Sequence, residues 1–352
     1  MEKKIKVGII GVGSISNVHI QSYQQIKEVE LVAFCDINEQ RLKYMMEKYH
    51  VTRGYASAKE MLDQEELDAV SVCTWNSAHA ECSIEALNHG VNVLCEKPMA
   101  MNADEAVQMK EAAERNGKLL MLGFVRRFGK DIQILRDLKH DNFFGELYYM
   151  KSQYLRRSGS PGGWFGDKAR SGGGPLIDLG VHILDMMNYL YECENPVSVY
   201  GYTFDRIGNR LPVKKDVGYV SSDTSGNIFN VEDFAGAVIR FPGNKIAVLE
   251  TSYNLFLERD TEGLQLFGDR GGAKIDDGIR LSSNLCGYLA NNQLLINSAF
   301  DFNESFLEEI RHYVDCVAHH TECIAGAEDG VRNMKILDAI YQSAQTGHEC
   351  FL

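Results

Sequence analysis

The stretch that most constrains this chain is its start. Lys4 to Ile10 is an apolar run of strand length. It stops at Gly11-Val12-Gly13-Ser14-Ile15-Ser16, after which a helical pattern runs to about Gln25. Strand, glycine turn and helix opening, in that order, are what a dinucleotide's pyrophosphate requires. Gly11 permits the tight turn, and Gly13 lets the backbone approach the phosphates with no Cβ in the way. The helix N-terminus adds free N–H groups and the positive end of its dipole. The third position of the pattern is Ser16, small enough for close packing of helix on strand.

A glycine turn alone is a weak signal, and the second strand strengthens it. Glu30 to Phe34 ends at Cys35-Asp36, with Asp36 falling 25 residues after Gly11. A carboxylate there accepts hydrogen bonds from both hydroxyls of the adenosine ribose and repels a 2′-phosphate, which favours NAD over NADP. Asp36 also suits the N-cap of a helix over Asn38 to Tyr49, and the two roles are compatible. Further strand-length runs lie at Ala69 to Cys73, Val91 to Cys95 and Leu119 to Leu122, with helical segments at Ser77 to Asn88 and Ala103 to Asn116. This alternation predicts an α/β Rossmann domain over residues 1–123, a parallel sheet with helices on both faces. Ligands bind at the carboxyl ends of such strands. The candidates for holding the cofactor are therefore Gly11, Gly13, Ser14, Ile15, Asp36, Ile37, Thr74, Trp75, Asn76, His79, Glu96 and Lys97.

From Phe124 onward the alternation gives way to longer β-rich runs at Leu147 to Leu155, Val197 to Phe204, Phe234 to Phe241, Lys245 to Tyr253 and Gly263 to Phe267. They predict a second, α+β domain over residues 124–352 with a large, mostly antiparallel open sheet. Glu304 to His319 and Asp329 to Gln345 read as amphipathic terminal helices. Pro175, after three glycines, suits a first helical position, so Asp178 falls in the first turn, with His182 and Asp185 at i+4 and i+7 on one face. A carboxylate near a helix N-terminus gains roughly 0.3 to 1 kcal/mol, which keeps Asp178 ionised and able to orient an imidazole or a hydroxyl. His182 has the natural pKa to take a hydroxyl proton near neutrality. Lys97 is a cation placed to stabilise alkoxide character on the reacting oxygen. The plainer alternatives are a surface ion-pairing Lys97 and a satisfied core His182. A metal held by Asp178, His182 and Asp185 would lack a further clear ligand, and no metal is expected.

Composition narrows the partners. A formal charge of -13 opposes nucleic acid. Arg126 to Arg170, however, holds ten basic and five acidic residues. That is either a solvated surface or the positive wall of a cleft that draws in the pyrophosphate or an anionic substrate. Arg127, Tyr154, Arg157 and Trp164 in and around this stretch are candidates for substrate contact, together with Asp178 and His182. Tyr154 equally suits the core, and Trp164 equally suits a cover over the nicotinamide. No run approaches the roughly 18 apolar residues of a membrane helix, and no apolar leader follows Met1 to Lys6, so a soluble, cytoplasmic protein is expected. The nine cysteines include no CxxC pair to suggest zinc or a redox dithiol, and reduced thiols are the simpler account.

Two blocks about 75 residues apart carry a specific resemblance. Glu96-Lys97-Pro98, with the glycine turn and Asp36 before it, and Gly172-Gly173-Gly174-Pro175-Leu176-Ile177-Asp178-Leu179-Gly180-Val181-His182, with Asp185 after it, resemble the glucose-fructose oxidoreductase, inositol dehydrogenase and MocA family of NAD(P)-dependent enzymes. The resemblance covers essentially the whole chain. It implies that Lys97, Asp178 and His182 form the catalytic set beside the nicotinamide, and that Pro98 follows a cis bond. It also implies a sugar, sugar acid or cyclic polyol oxidised at a secondary hydroxyl, and a homodimer or homotetramer joined through the C-terminal sheet. The departures are Ser16 in the turn and Thr74-Trp75-Asn76, where a proline often stands between threonine and asparagine. Trp75 bears on how that loop lies against the adenine side. Two other functions stay open: a glycosidase that oxidises and re-reduces its sugar with bound NAD, and a redox-silent NAD sensor. The intact Lys97, Asp178 and His182 set counts against the sensor.

Overall fold

Val7, Ile9 and Ile10 are almost wholly buried in β1 (Ile5–Ile10), as a strand covered on both faces requires. In this computed structural model the described residues are 4–157, 159–192, 194–208, 221, 228–276 and 278–352. The chain divides into two units, Met1–Val125 with Phe302–Met334, and Arg126–Asp301 with Lys335–Leu352. The first unit thus takes in a helical segment far beyond residues 1–123.

In the first unit β1 is followed by α1 (Ser16–Tyr23), β2 (Val29–Cys35), α2 (Glu39–Tyr49), β3 (Arg53–Tyr55), α3 (Ala58–Gln64), β4 (Ala69–Val72), α4 (Asn76–Asn88), β5 (Asn92–Cys95), α5 (Ala103–Asn116) and β6 (Leu120–Leu122). All neighbours are parallel, in the order β3-β2-β1-β4-β5-β6. Strand order reverses at β1 and β4, the switch point at which a doubly wound sheet takes its ligand. Every strand of this sheet is visible in the sequence except β3, whose Arg53-Gly54-Tyr55 lacks the apolar run that marks the equally short β6.

The second unit contains α6 (Lys130–His140), β7 (Leu147–Leu155), α7 (Lys168–Ser171), α8 (Val181–Leu190), β8 (Ser198–Phe204), β9 (Phe234–Arg240), β10 (Ile246–Ser252), β11 (Thr261–Gly268), β12 (Gly271–Asp276), β13 (Gly278–Leu285) and β14 (Tyr288–Gln293). With β15 (Cys350–Phe351) they make a nine-stranded sheet, β14-β13-β12-β11-β7-β10-β9-β8-β15. Only β7 and β10 run parallel; the other pairings are antiparallel. Met150, Ala247, Leu249, Ala237 and Leu266 are buried on one face, the side on which α8 packs. The other face carries a row that the register sets side by side: Tyr200, Val238, Val248, Lys151 and Gln265. Tyr200 is 48% and Val238 36% exposed there.

α9 (Phe302–His319) belongs to the first unit and buries Phe306, Ile310 and Tyr313, each such side chain contributing about 1.5–3 kcal/mol. Tyr313 Oη donates to the Val70 carbonyl at 3.3 Å, which fixes the helix against β4. The chain passes from the first unit to the second within α10 (Ala327–Thr346). No helix among the described residues is long and apolar enough to cross a membrane.

Candidate active site

The predicted site residues fall in both units, and each half is described by itself. In the first unit the turn after β1 depends on Gly11, at φ +86°. A Cβ there would lie 2.8 Å from the Cys73 carbonyl carbon and oxygen and from Thr74 N. Only glycine lets the turn pass so close to the end of β4. Ser16 adds what its size alone did not predict: its hydroxyl donates to the Gly13 carbonyl at 2.8 Å, bracing the turn from the first residue of α1. Ser14 and Ile15 join the two.

Asp36 sits at the end of β2, 6% exposed. Oδ2 accepts from Val12 N at 2.9 Å and Oδ1 from Asn38 N at 2.8 Å. It therefore ties the glycine turn to the second strand, while Asn38 caps α2 by accepting from Arg41 N at 3.0 Å. The N-cap alternative for Asp36 is thereby taken by Asn38. An ionised carboxylate has about four lone-pair positions. Two are used here, which leaves acceptors for ribose hydroxyls. Arg41 lies 3.7 Å from Asp36 and Ile37 beside it is exposed. Turn, helix opening and carboxylate thus fit a dinucleotide.

At the next two strand ends a buried histidine joins two loops. His79 Nδ1 lies 2.7 Å from the Pro98 carbonyl oxygen and Nε2 3.3 Å from that of Thr74. Burial lowers the His79 pKa despite these bonds. Asn76, at the start of α4, is buried, and the Thr74 hydroxyl donates to the Trp75 carbonyl at 3.2 Å. The Lys97-Pro98 bond is cis. Glu96 is buried with His19 Nε2 2.8 Å from Oε1, and it accepts from Lys97 N at 3.1 Å. Burial pushes the Glu96 carboxyl up, but His19, Lys97 and His79 together outweigh it and hold its pKa below the usual value. Glu96 thus fixes the backbone at Lys97, whose side chain is partly exposed. His19 was missed from the sequence. Its only signal was an imidazole on the buried face of α1, beside Ile20 and Tyr23.

In the second unit, the glycine block is a close approach of backbone to backbone: a Cβ on Gly174 would lie 2.1 Å from the Glu232 carbonyl oxygen. Leu176 N donates to Glu232 Oε1 at 3.2 Å and Tyr341 Oη to the same oxygen at 2.9 Å. The helix then opens on a π-helical turn, Leu176–Gly180, before α8. This corrects the expectation of a regular α-helix from Pro175, because a wide turn adds a residue to the register and breaks the i, i+4, i+7 stripe. The three side chains are accordingly used differently. Asp178 is buried and accepts from Tyr253 Oη at 3.0 Å. Asp185 is buried against Arg127, and His182 is partly exposed in a helix otherwise buried from Val181 to Leu190.

Arg127, expected to reach the substrate, is 1% exposed. Its Nε and Nη2 donate to Asp185 at 2.9 and 2.6 Å, and its guanidinium lies 4.6 Å from the centre of the Tyr189 ring. These contacts make it a support of α8. Arg157 is exposed and donates to the Glu258 carbonyl at 2.6 Å. Trp164 is partly exposed and stacked on Phe165, with ring centres 4.0 Å apart. Tyr154 Oη accepts from Arg156 at 3.3 Å. Burial works against the Arg156 charge, but Tyr154 and Asp178 outweigh it and raise its pKa. Burial also raises Tyr253, with Asp178 adding to it. Asp178 therefore keeps company with Tyr253, Arg156 and Tyr154. Arg156 and Tyr253 were not among the predicted site residues, although the period of two along β7 sets position 156, rather than 157, on the side of Tyr154.

The chain as a whole matches known proteins. Residues 5–124 match the family described as an oxidoreductase family with an NAD-binding Rossmann fold, and residues 132–274 match the GFO/IDH/MocA C-terminal domain. The chain belongs to the Gfo/Idh/MocA family. It is an NAD-binding oxidoreductase. It is 33% identical to a D-glucoside 3-dehydrogenase of Escherichia coli over 97% of this chain and 96% of that one. It is 25% identical to a myo-inositol 2-dehydrogenase of Thermotoga maritima over 93% of this chain and 92% of that one. Among solved structures it resembles an aldose-aldose oxidoreductase from Caulobacter crescentus complexed with glycerol, with a TM-score of 0.82, 24% identity and coverage of 99% of this chain and 100% of that one.

Proposed function

We propose that this enzyme oxidises a secondary hydroxyl of a sugar, glycoside or cyclic polyol, and reduces the ketone in reverse, with Lys97, Asp178 and His182 as its catalytic set. Residues 1–123 bind the cofactor and residues 124–352 bind the substrate and join the subunits. The observation that carries the reading is the unequal use of the glycine-block helix. Asp178 is desolvated and anchored to Tyr253, and the next turn presents an accessible imidazole at His182. The His182 imidazole takes the proton from the substrate oxygen, and Lys97 Nζ donates to that oxygen as negative charge develops on it. Asp178 holds the substrate and the imidazole in register, with Tyr154 and Arg156 beside it. NAD, held by the glycine turn and Asp36, supplies the hydride acceptor. The E. coli and T. maritima relatives support a neutral hydroxyl of a hexoside or inositol as the target.

The test is NAD reduction across glucosides, free hexoses, inositols, sugar acids and sugar phosphates. Turnover with glucosides or inositols at KM values well below those for the phosphates bears the reading out; turnover with none of the five classes overturns it. Asp36→Ala is expected to lower the NAD:NADP ratio of kcat/KM by at least tenfold, about 1.4 kcal/mol. A wild type that already prefers NADP would refute this role.

The assembly belongs to the same proposal: a homodimer or homotetramer through the outer face of the nine-stranded sheet, where Tyr200, Val238 and Phe267 are exposed. Val238→Lys puts a charge into the middle of that row, and burying it unpaired costs several kcal/mol. Light scattering is expected to give an oligomer for wild type and a monomer for Val238→Lys; equal masses would reject this interface. Nucleic acid and membrane have no place in this reading, and the cytoplasm is its proposed location.

A further inference from the structure

A second cluster of chemistry-bearing side chains lies in the first unit, among residues the reaction does not use. His312 and Cys316 are one turn apart on α9, and the chain leaving that helix brings Cys323 back to them. One nitrogen and two sulfurs lie within 4.8 Å of one another. His312 Nε2 is 3.4 Å from Cys316 Sγ. Tetrahedral zinc, with Zn–N about 2.0–2.1 Å and Zn–S about 2.3 Å, separates its nitrogen and sulfur ligands by roughly 3.6 Å. The pair is therefore already spaced for one ion. Ile324 N donates to His312 Nε2 at 3.1 Å, so Nε2 is the unprotonated ring nitrogen, and an ion bound there would take its lone pair in exchange for the Ile324 hydrogen bond. Thr321 Oγ1 donates to Cys316 Sγ at 3.4 Å. Cys316 is buried, while His312 and Cys323 are partly exposed, which gives an ion a route in.

The surroundings give such an ion a structural purpose. Just past Cys323, the Ala325 carbonyl accepts from Leu122 N at 2.8 Å, and Gly326 bridges Met121 antiparallel. The segment that carries Cys323 therefore closes the open edge of the parallel sheet at β6. Two thiolates and an imidazole select a borderline-soft ion over calcium or magnesium, which take oxygen ligands. No CxxC announces this site in the sequence. Here the ligands are an i, i+4 pair on a helix plus one cysteine seven residues further on.

We propose that His312, Cys316 and Cys323 bind one thiophilic divalent cation of the zinc class, water completing the four ligands, and that the ion pins the end of α9 to the edge of the Rossmann sheet. Binding forms two metal–sulfur bonds and one metal–nitrogen bond and releases to solvent any proton the two thiols still carry.

The test is titration of the reduced full-length chain with Co²⁺ as spectroscopic probe, followed by displacement with Zn²⁺. One equivalent of Co²⁺ is expected to produce a thiolate-to-metal charge-transfer band and tetrahedral ligand-field bands, and Zn²⁺ is expected to abolish both and raise the Tm. Cys316→Ser and Cys323→Ser are expected to weaken binding at least about a hundredfold, the upper end of what losing an outer-shell partner costs. Cys286→Ser, at an exposed cysteine in the second unit, should bind as wild type does. The wild-type spectrum decides the matter even if a ligand variant fails to fold. Absence of the charge-transfer band at stoichiometric Co²⁺, or a band that persists in both serine variants, overturns the proposal. So does a Cys316–Cys323 disulfide on mild oxidation in a chain that binds no Co²⁺ when reduced.

Discussion

Lys97→Ala and His182→Ala are each expected to lower kcat by about 10²- to 10⁴-fold, the range that a positioned acid or base contributes. NAD affinity should hardly change, because on this proposal the dinucleotide is held mainly by the Gly11 turn and Asp36, which neither substitution touches. Glu96 remains anchored by His19 in Lys97→Ala, so the backbone at position 97 keeps its place and the loss reports on the ammonium alone. If His182 is the base, the acid limb of the kcat/KM profile for alcohol oxidation disappears in His182→Ala, and exogenous imidazole restores part of the turnover. A limb that survives there and vanishes in Lys97→Ala would move the base to Lys97. Asp178→Asn keeps an acceptor for Tyr253 Oη but removes the charge, and it is expected to be comparably severe. Wild-type rates in both Lys97→Ala and His182→Ala would remove the assigned site.

Arg127→Ala is expected to cost about 3–5 kcal/mol of stability, the usual penalty for removing one partner of a buried ion pair. Two hydrogen bonds to Asp185 are lost, and a carboxylate that is 1% exposed is left without its guanidinium. Arg127→Ala with Asp185→Leu should recover much of the loss, because no buried charge then remains. A shifted urea midpoint with an unchanged KM is the signature of this structural role. A raised KM with unchanged stability would restore the substrate contact that the basic stretch suggested.

These two predictions mark how far the sequence could be read. Gly11, Asp36 and Lys97 were legible because each answers to a local rule: a turn that needs positive φ, a strand end, a cation at a strand's carboxyl terminus. Arg127 was not legible, because its partner is 58 residues away and only packing brings the two together. The bond from Val12 N to Asp36, 24 residues apart, is likewise a product of packing, and the cap of α2 falls to Asn38. The stripe of Asp178, His182 and Asp185 assumed a period of 3.6, and nothing in the local sequence announces the π-helical turn at Leu176–Gly180. Tyr253, just past β10, bonds Asp178, and the charge of Arg156, just past β7, is felt with it; the pairing of β7 with β10 brings these positions together. The short strands β12 to β14 pair in successive hairpins whose solvent faces are too polar for strict alternation to stand out.

The most direct test of the central claim is the stoichiometry of oxidation by the wild-type enzyme with a glucoside or inositol and NAD. The account predicts one reduced nicotinamide for each ketone formed, with deuterium placed on the oxidised carbon appearing in the nicotinamide. Cleavage of the glucoside with no accumulation of reduced cofactor would make the chain a glycosidase that borrows NAD, and would contradict it.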